Sequence, residues 1–245
     1  MRVLFILLLG LTGDVAGPRH FSGDAEFAQM DYAHAESEYD SARTQSSDSA
    51  QYLWRLARLY VCRGDVAEHD RKEEIYRAAA EFARRCIRCD SSLAPGHTWR
   101  AAALGNLAMF EGSKAKVRLC TEIKHELDEA VSLDSLDDVA YSIMGSFYMA
   151  LGKVSWLERQ LAAVFLGSLP EGGFPEAEAA LTRALRIAPQ VIRHRYEMGL
   201  LYVEEGREKE AREEFQIAST LPIVLASDER TRSRALEWVK KLSEE

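Results

Sequence analysis

Four times along this chain the same set of residue sizes recurs at the same spacing, and that recurrence restricts the fold more than any other feature. Trp54, Trp99, Ser142 and Tyr196 form a first column. Three residues later stand Ala57, Ala102, Gly145 and Gly199, six later Tyr60, Gly105, Tyr148 and Tyr202, and ten later Gly64, Met109, Gly152 and Gly206. On a helix, a small residue lets the neighbouring helix approach, a Tyr beside it fills the space, and a Gly accepts the conformation that ends the helix. A second column, Ala42, Ile87, Ala130 and Ala184, lies 12 residues before each member of the first. The second helix of one repeat therefore passes to the next repeat through a short turn of constant length. Past residue 24 nearly every window carries apolar residues at helical spacing, and alternating strand-type runs are scarce. The six prolines (Pro18, Pro95, Pro170, Pro175, Pro189 and Pro222) fall where that pattern lapses. Helix pairs that cannot bury their apolar faces alone must stack, so the fold class is an all-α solenoid.

In the last repeat Tyr196, Gly199, Tyr202, Gly206, Ala211, Phe215 and Ala218 follow the spacing of a complete helix-turn-helix unit of about 34 residues, which resembles the tetratricopeptide repeat. The resemblance implies a right-handed superhelix of helix pairs. Tyr196 and Ala218 are 22 residues apart, whereas the matching pairs Trp54 to Ile87, Trp99 to Ala130 and Ser142 to Ala184 are 33, 31 and 42 apart. The extra residues enter within repeats and not between them. The spacing predicts a truncated first repeat with a helix over 25–46, helix pairs beginning near 50, 95, 138 and 192, and a capping helix over 227–243. Leu236, Val239 and Leu242 are expected on the buried face of that cap.

The insertions carry their own strings. Glu111 to Val117, Glu122 to His125, Ser155 to Arg159, Ala162-Ala163 and Phe165-Leu166-Gly167 resemble, in this order on this frame, the repeat domain of the regulator of microtubule dynamics family over residues 50–222. Phe165 to Pro170 and Gly172-Gly173 depart from the family's pattern of Phe-Gly followed by prolines. Lipid binding attributed to one member of that family makes an acyl chain or lipid-like molecule one implied ligand. Microtubule binding, which the family name implies, is disfavoured because tubulin's surface is acidic and so is this chain.

Met1-Arg2 and the apolar run Val3 to Leu11 read as a secretory signal peptide over residues 1–17, with small residues at Val15-Ala16-Gly17 and Pro18 just beyond. A buried first helix or an uncleaved anchor is the alternative. With a signal peptide the chain is periplasmic or secreted, and without one it is cytoplasmic. Residues 24–245 form the repeat domain, and no other stretch reaches the apolar length of a membrane span. Charge narrows the partners: 31 Lys and Arg against 39 Asp and Glu give −8, so nucleic acid is not expected.

No Gly-rich phosphate loop, Gly-x-Ser-x-Gly turn or zinc-protease motif is present, and the six histidines show no metal-binding pair at helical spacing. The chain is read as a non-enzyme without cofactor. Cys86 and Cys89 have ligand spacing but Cys62 and Cys120 stand alone, so no metal is expected. In an exported chain a disulfide from Cys62 to the Cys86/Cys89 helix is the alternative to four small packed thiols. Two basic clusters, Arg84-Arg85-Arg88 and Lys114-Lys116-Arg118, are either solvated helix faces or local patches for an acidic partner.

What remains is the concave surface. The first helix of each pair lines it, and the residue in the first column with those four and seven later points inward. Those positions hold Trp54, Arg58, Val61; Trp99, Ala103, Asn106; Ser142, Ser146, Met149; and Tyr196, Leu200, Val203. The wall is mostly apolar and aromatic. With one Asn and no Lys there, a clamp for a peptide's terminal carboxylate is disfavoured. The expected role is a scaffold that binds a protein or peptide in this groove, with a carrier of a lipid-like ligand as the alternative. In a third reading the insertion over 153–173, through Trp156, Leu157, Leu161, Val164 and Phe165, folds back and fills the groove.

Overall fold

The structure, a computed structural model, describes residues 21–45, 49–111, 113–165 and 168–244. Among these residues every regular element is a helix. A short α1 (Asp24–Ala28) and α2 (Tyr32–Gln45) precede the antiparallel pairs α3 (Ser49–Val66) with α4 (His69–Cys89) and α5 (Ala94–Glu111) with α6 (Ser113–Leu133). Next come α7 (Asp138–Gly152), the inserted α8 (Trp156–Phe165) and α9 (Phe174–Ile187), then α10 (Ile192–Glu204) with α11 (Glu208–Thr220) and the cap α12 (Asp228–Lys241). The pairs begin where the repeat spacing places them. The signal-peptide reading lies outside the described residues.

The helix expected over 25–46 is instead two helices. Asp31 N donates to Glu26 O and Met30 N to Phe27 O, a Schellman stop with Met30 in the left-handed region at φ 62°. The Asp31 carboxylate then accepts from His34 N (3.2 Å) and starts α2. A Met in the left-handed conformation is a costly place to turn, which is why the residue pattern gave no sign of it.

The small residues do close the helix pairs. A Cβ on Gly145 would stand 2.4 Å from Leu181 Cγ, and one on Gly199 would stand 2.6 Å from the Phe215 ring. These glycines let α7 meet α9 and α10 meet α11. Gly206, at φ 73°, ends α10 in a second Schellman turn through Arg207 N to Tyr202 O (2.8 Å). Gly64 differs from its expected role: it lies inside α3, where it admits the Tyr76 ring.

The insertions have two structural outcomes. α3 and α4 have 18 and 21 residues, as do α5 and α6, against 13 and 13 for α10 and α11. The first two insertions lengthen both helices of their pairs. In the third pair α7 and α9 keep 15 and 14 residues, and the extra chain holds α8. Arg159 fastens α8 to its surroundings by donating to Leu151 O (2.7 Å), Gly172 O (3.1 Å) and Pro170 O (3.2 Å).

The cap α12 covers the end of the stack. Its buried face is Ala235, Trp238, Val239 and Leu242, with Trp238 stacked on Phe215 at 5.7 Å between centroids. Leu236, expected on that face, is 52 % exposed. Helical geometry puts 235, 238, 239 and 242 on one stripe, and 236 lies beside it.

Candidate functional site

The residues expected to line the concave face lie on the first helices α3, α5, α7 and α10. Three of the expected wall residues are not on the surface, and one of them, Ser142, is 1 % exposed inside α7. Val61 and Ala103 are buried at 3 % and 0 % with Ala79 between α3, α4 and α5. Adjacent first helices touch directly, so positions that a looser superhelix would leave in the groove are covered by the neighbouring helix.

Trp54 and Arg58 are held in a polar hub with α1. The Trp54 indole is half-buried, donates Nε1–H to Gln51 Oε1 (2.9 Å), and carries the guanidinium groups of Arg55 and Arg58 over its ring at 4.2 and 5.2 Å. Arg58 also lies over Phe27 at 3.7 Å. The hub centres on Asp24, which accepts from Arg55 Nε (2.9 Å), Tyr39 OH (2.7 Å) and Arg58 Nη2 (3.3 Å). Burial alone would raise the Asp24 pKa, but the hydrogen bonds from Arg55 and Tyr39 and both guanidinium charges outweigh it and hold the carboxyl below its ordinary value.

Trp99 rests on the Val61–Ala79–Ala103 cluster and is half-buried, as are Asn106 on the same helix and Ser146 and Met149 on α7. Tyr196, Leu200 and Val203 are half-buried and packed with α12. Tyr196 joins Arg234, Glu237, Trp238 and Lys241 around a shallow depression of about 330 Å³.

Sequence reasoning missed the charged end of this surface. Extending the α3 stripe by four residues reaches Asp65, and extending the α10 stripe back by three reaches Arg193; Arg193 Nη1 stands 3.9 Å from Asp65 Oδ2. The Arg193 side chain is 45 % exposed and the Asp65 side chain 18 %. Lys72 Nζ donates to Gly64 O (2.9 Å) and Asp65 O (3.1 Å), and Arg230 of α12 donates to Asp65 O. The signal for Arg193 was the stripe itself, continued one turn. Lys72 and Arg230 come from a second helix and from the cap, outside the four columns.

The remaining candidates separate cleanly. The side chains of Trp156, Leu157, Leu161, Val164 and Phe165, on which the filled-groove reading depends, lie outside the described residues. All four thiols are free; Cys62 and Cys86 are buried, and burial pushes each up to about 12. No group of three or more His, Cys, Asp or Glu able to hold a metal occurs among the described residues. Arg84 pairs with Glu81, and Arg118 with Glu111, both on exposed faces. No helix among the described residues is long and apolar enough to cross a membrane.

The fold and its concave surface can be set beside known proteins. The family described as regulator of microtubule dynamics protein 1-3 matches residues 22–243. The chain belongs to this family. The bovine regulator of microtubule dynamics protein 1 is 25% identical over 238 residues, covering 94% of this chain and 75% of its own length. The rat regulator of microtubule dynamics protein 2 is 28% identical over 185 residues, covering 74% of this chain and 45% of its own length. The chain thus spans under half of the second relative. Among solved structures, a thermophilic TPR protein from Thermus thermophilus superposes with a TM-score of 0.62 at 18% identity, over 89% of this chain and 95% of that one. That likeness is one of fold: a tetratricopeptide-type solenoid.

Proposed function

We propose that this family member is a non-catalytic scaffold that binds an extended or helical segment of a partner protein on its concave face. The observation that carries the reading is Trp99, a flat amphipathic side chain left half-exposed on α5, with Asn106 on the same helix and Ser146 and Met149 on α7 also half-buried. Asp65 and Arg193, where the α3 and α10 stripes meet, add charges of both signs, which favour a polypeptide over a purely apolar ligand. The lipid-like carrier is the competing reading, and native mass spectrometry of the chain purified without detergent separates the two.

The test is Trp99→Ala on the full chain. An anchor of this kind contributes about 2 kcal/mol or more to binding, so partner affinity should fall about 30-fold. The melting temperature should move little. A loss of about 3–5 kcal/mol in stability would make the indole core, and unchanged affinity with a stable fold would put the partner elsewhere.

A further inference from the structure

The segment after α11 divides: Leu221 and Ile223 stay with the cluster of the last repeat, and the residues just beyond them leave it. Asp228, buried at 3 %, accepts from Val224 N and Leu225 N (2.9 Å each) and bends residues 224–228 into a tight turn before α12. That turn carries Leu225 and Ala226 onto the first cluster of the protein, where Tyr32 and Cys62 lie. Ala226 N donates to Tyr32 OH (3.2 Å), across 194 residues of sequence. Arg230 reaches the Asp65 carbonyl oxygen, and Arg193 stands over the Asp65 carboxylate.

We infer that residues 224–230 are a latch: a stretch of the chain bound in cis to the first repeat, which shuts the superhelix between α3 and α10 and opens as a unit to admit a partner. Two features separate it from ordinary capping. Its own side is strongly made, since the buried Asp228 carboxylate accepts two backbone N–H groups from within the turn itself. Its far side is weakly made. Among the described residues the hydrogen bonds across the seam are Ala226 N to Tyr32 OH and Arg230 to Asp65 O, and Lys72 and Arg230, two like charges, converge on that one carbonyl at the end of α3. The Arg193 to Asp65 ion pair is long, and Val224 is 50 % exposed. A turn that is preformed on one side and thinly held on the other can release without unfolding. Release would uncover the Tyr32 hydroxyl, the α3 carbonyl end and the Cys62 thiol, at the place where the α3 and α10 stripes meet. The purpose assigned to the latch rests on the groove reading, but its opening can be measured with no partner present.

Cys62 provides the readout, because it lies in the cluster that Leu225 and Ala226 cover, while Cys86 is buried between α4, the Ala50 carbonyl and Gly96. In the full chain, thiol-alkylation rates at both cysteines are followed by peptide mass mapping for wild type, Tyr32→Phe and Arg230→Ala. Tyr32→Phe keeps the ring and removes only the hydroxyl that crosses the seam. The latch requires Cys62 to react about tenfold faster in each variant, the population change that one lost hydrogen bond brings, with Cys86 unchanged. An unchanged Cys62 rate would show that these contacts do not hold the segment, and equal acceleration at Cys62 and Cys86 would show general loosening; either result overturns the latch. If Cys62 alone accelerates while Trp99→Ala leaves partner binding intact, the latch stands and the groove reading falls.

Discussion

His97 offers the most demanding check of the energetics. It is 5 % exposed on α5, with Nδ1 2.6 Å from Glu126 Oε2 on α6 and Nε2 3.0 Å from the Ser91 carbonyl oxygen in the preceding turn. Both partners accept, so both ring nitrogens donate and the imidazole is charged. The hydrogen bond with Glu126 is the main cause of a pKa raised above 6.5, against the opposing effect of burial. His97→Leu would remove the charge and leave Glu126 buried. Arg100 Nε, 2.9 Å from the other Glu126 oxygen, compensates part of that. The loss should therefore lie at the lower end of the range for a broken buried pair, about 3 kcal/mol, or about 6–12 °C in melting temperature for a chain of this size. The sign with pH is fixed. Below pH 6.5 the His97 contribution is fully present, and it is lost as pH rises through the raised folded pKa, because the unfolded chain releases that proton first. Urea unfolding of wild type and His97→Leu at several pH values from about 6 to about 9, followed by circular dichroism, measures the gap. It should be widest at the acid end and narrow steadily; a gap that is constant, or that widens toward alkaline pH, refutes the charged-histidine argument.

Two further outcomes rest on packing. Gly145→Ala should lose about 1–2 kcal/mol in stability, because the new Cβ meets Leu181 at 2.4 Å and overpacking outweighs the helix-propensity gain of about 1 kcal/mol. Gly105→Ala, whose Cβ would meet nothing within 4 Å, should gain about 0.5–1 kcal/mol; chemical denaturation of both variants checks the contrast. In the folded protein a thiol reagent should modify the exposed Cys89 quickly, and Cys86, buried with its pKa pushed up to about 12, only on unfolding; comparable rates at the two sites would contradict the burial.

The helix pairs were readable because each obeys a local rule repeated four times. Gly145 and Gly199 are small where a partner helix must come close, and that requirement is visible in spacing alone. The α1–α2 break was not readable, since it depends on Met30 taking a conformation that its side chain disfavours and on Asp31 capping α2. The groove was half legible. Trp99, Asn106 and Met149 are half-buried at the positions the stripe rule chose, but the rule took Val61, Ala103 and Ser142 for surface because spacing carries no measure of how tightly the superhelix curves. Curvature is a sum over all the repeats, so the meeting of Asp65 with Arg193, and the cations that α4 and α12 bring there, are written in no single window.

The bond from Ala226 to Tyr32 also changes what kind of repeat protein this is. An open solenoid has mostly local contacts, so it can fold from any point, and evolution can lengthen or shorten it by whole units. A seam joining residues 194 positions apart adds a contact of very long range, and its loop closure comes only after the intervening pairs have set their angles. The number of helix pairs is then no longer free. Each pair rotates the next by a small fixed amount, and only one total rotation returns the end of the chain to its beginning. A duplicated or deleted pair would leave every local interface intact and still carry residues 224–230 past their seat. Long insertions in this chain accordingly sit inside repeats, where they stretch helices or add α8, and leave the count of turns around the superhelix as it is.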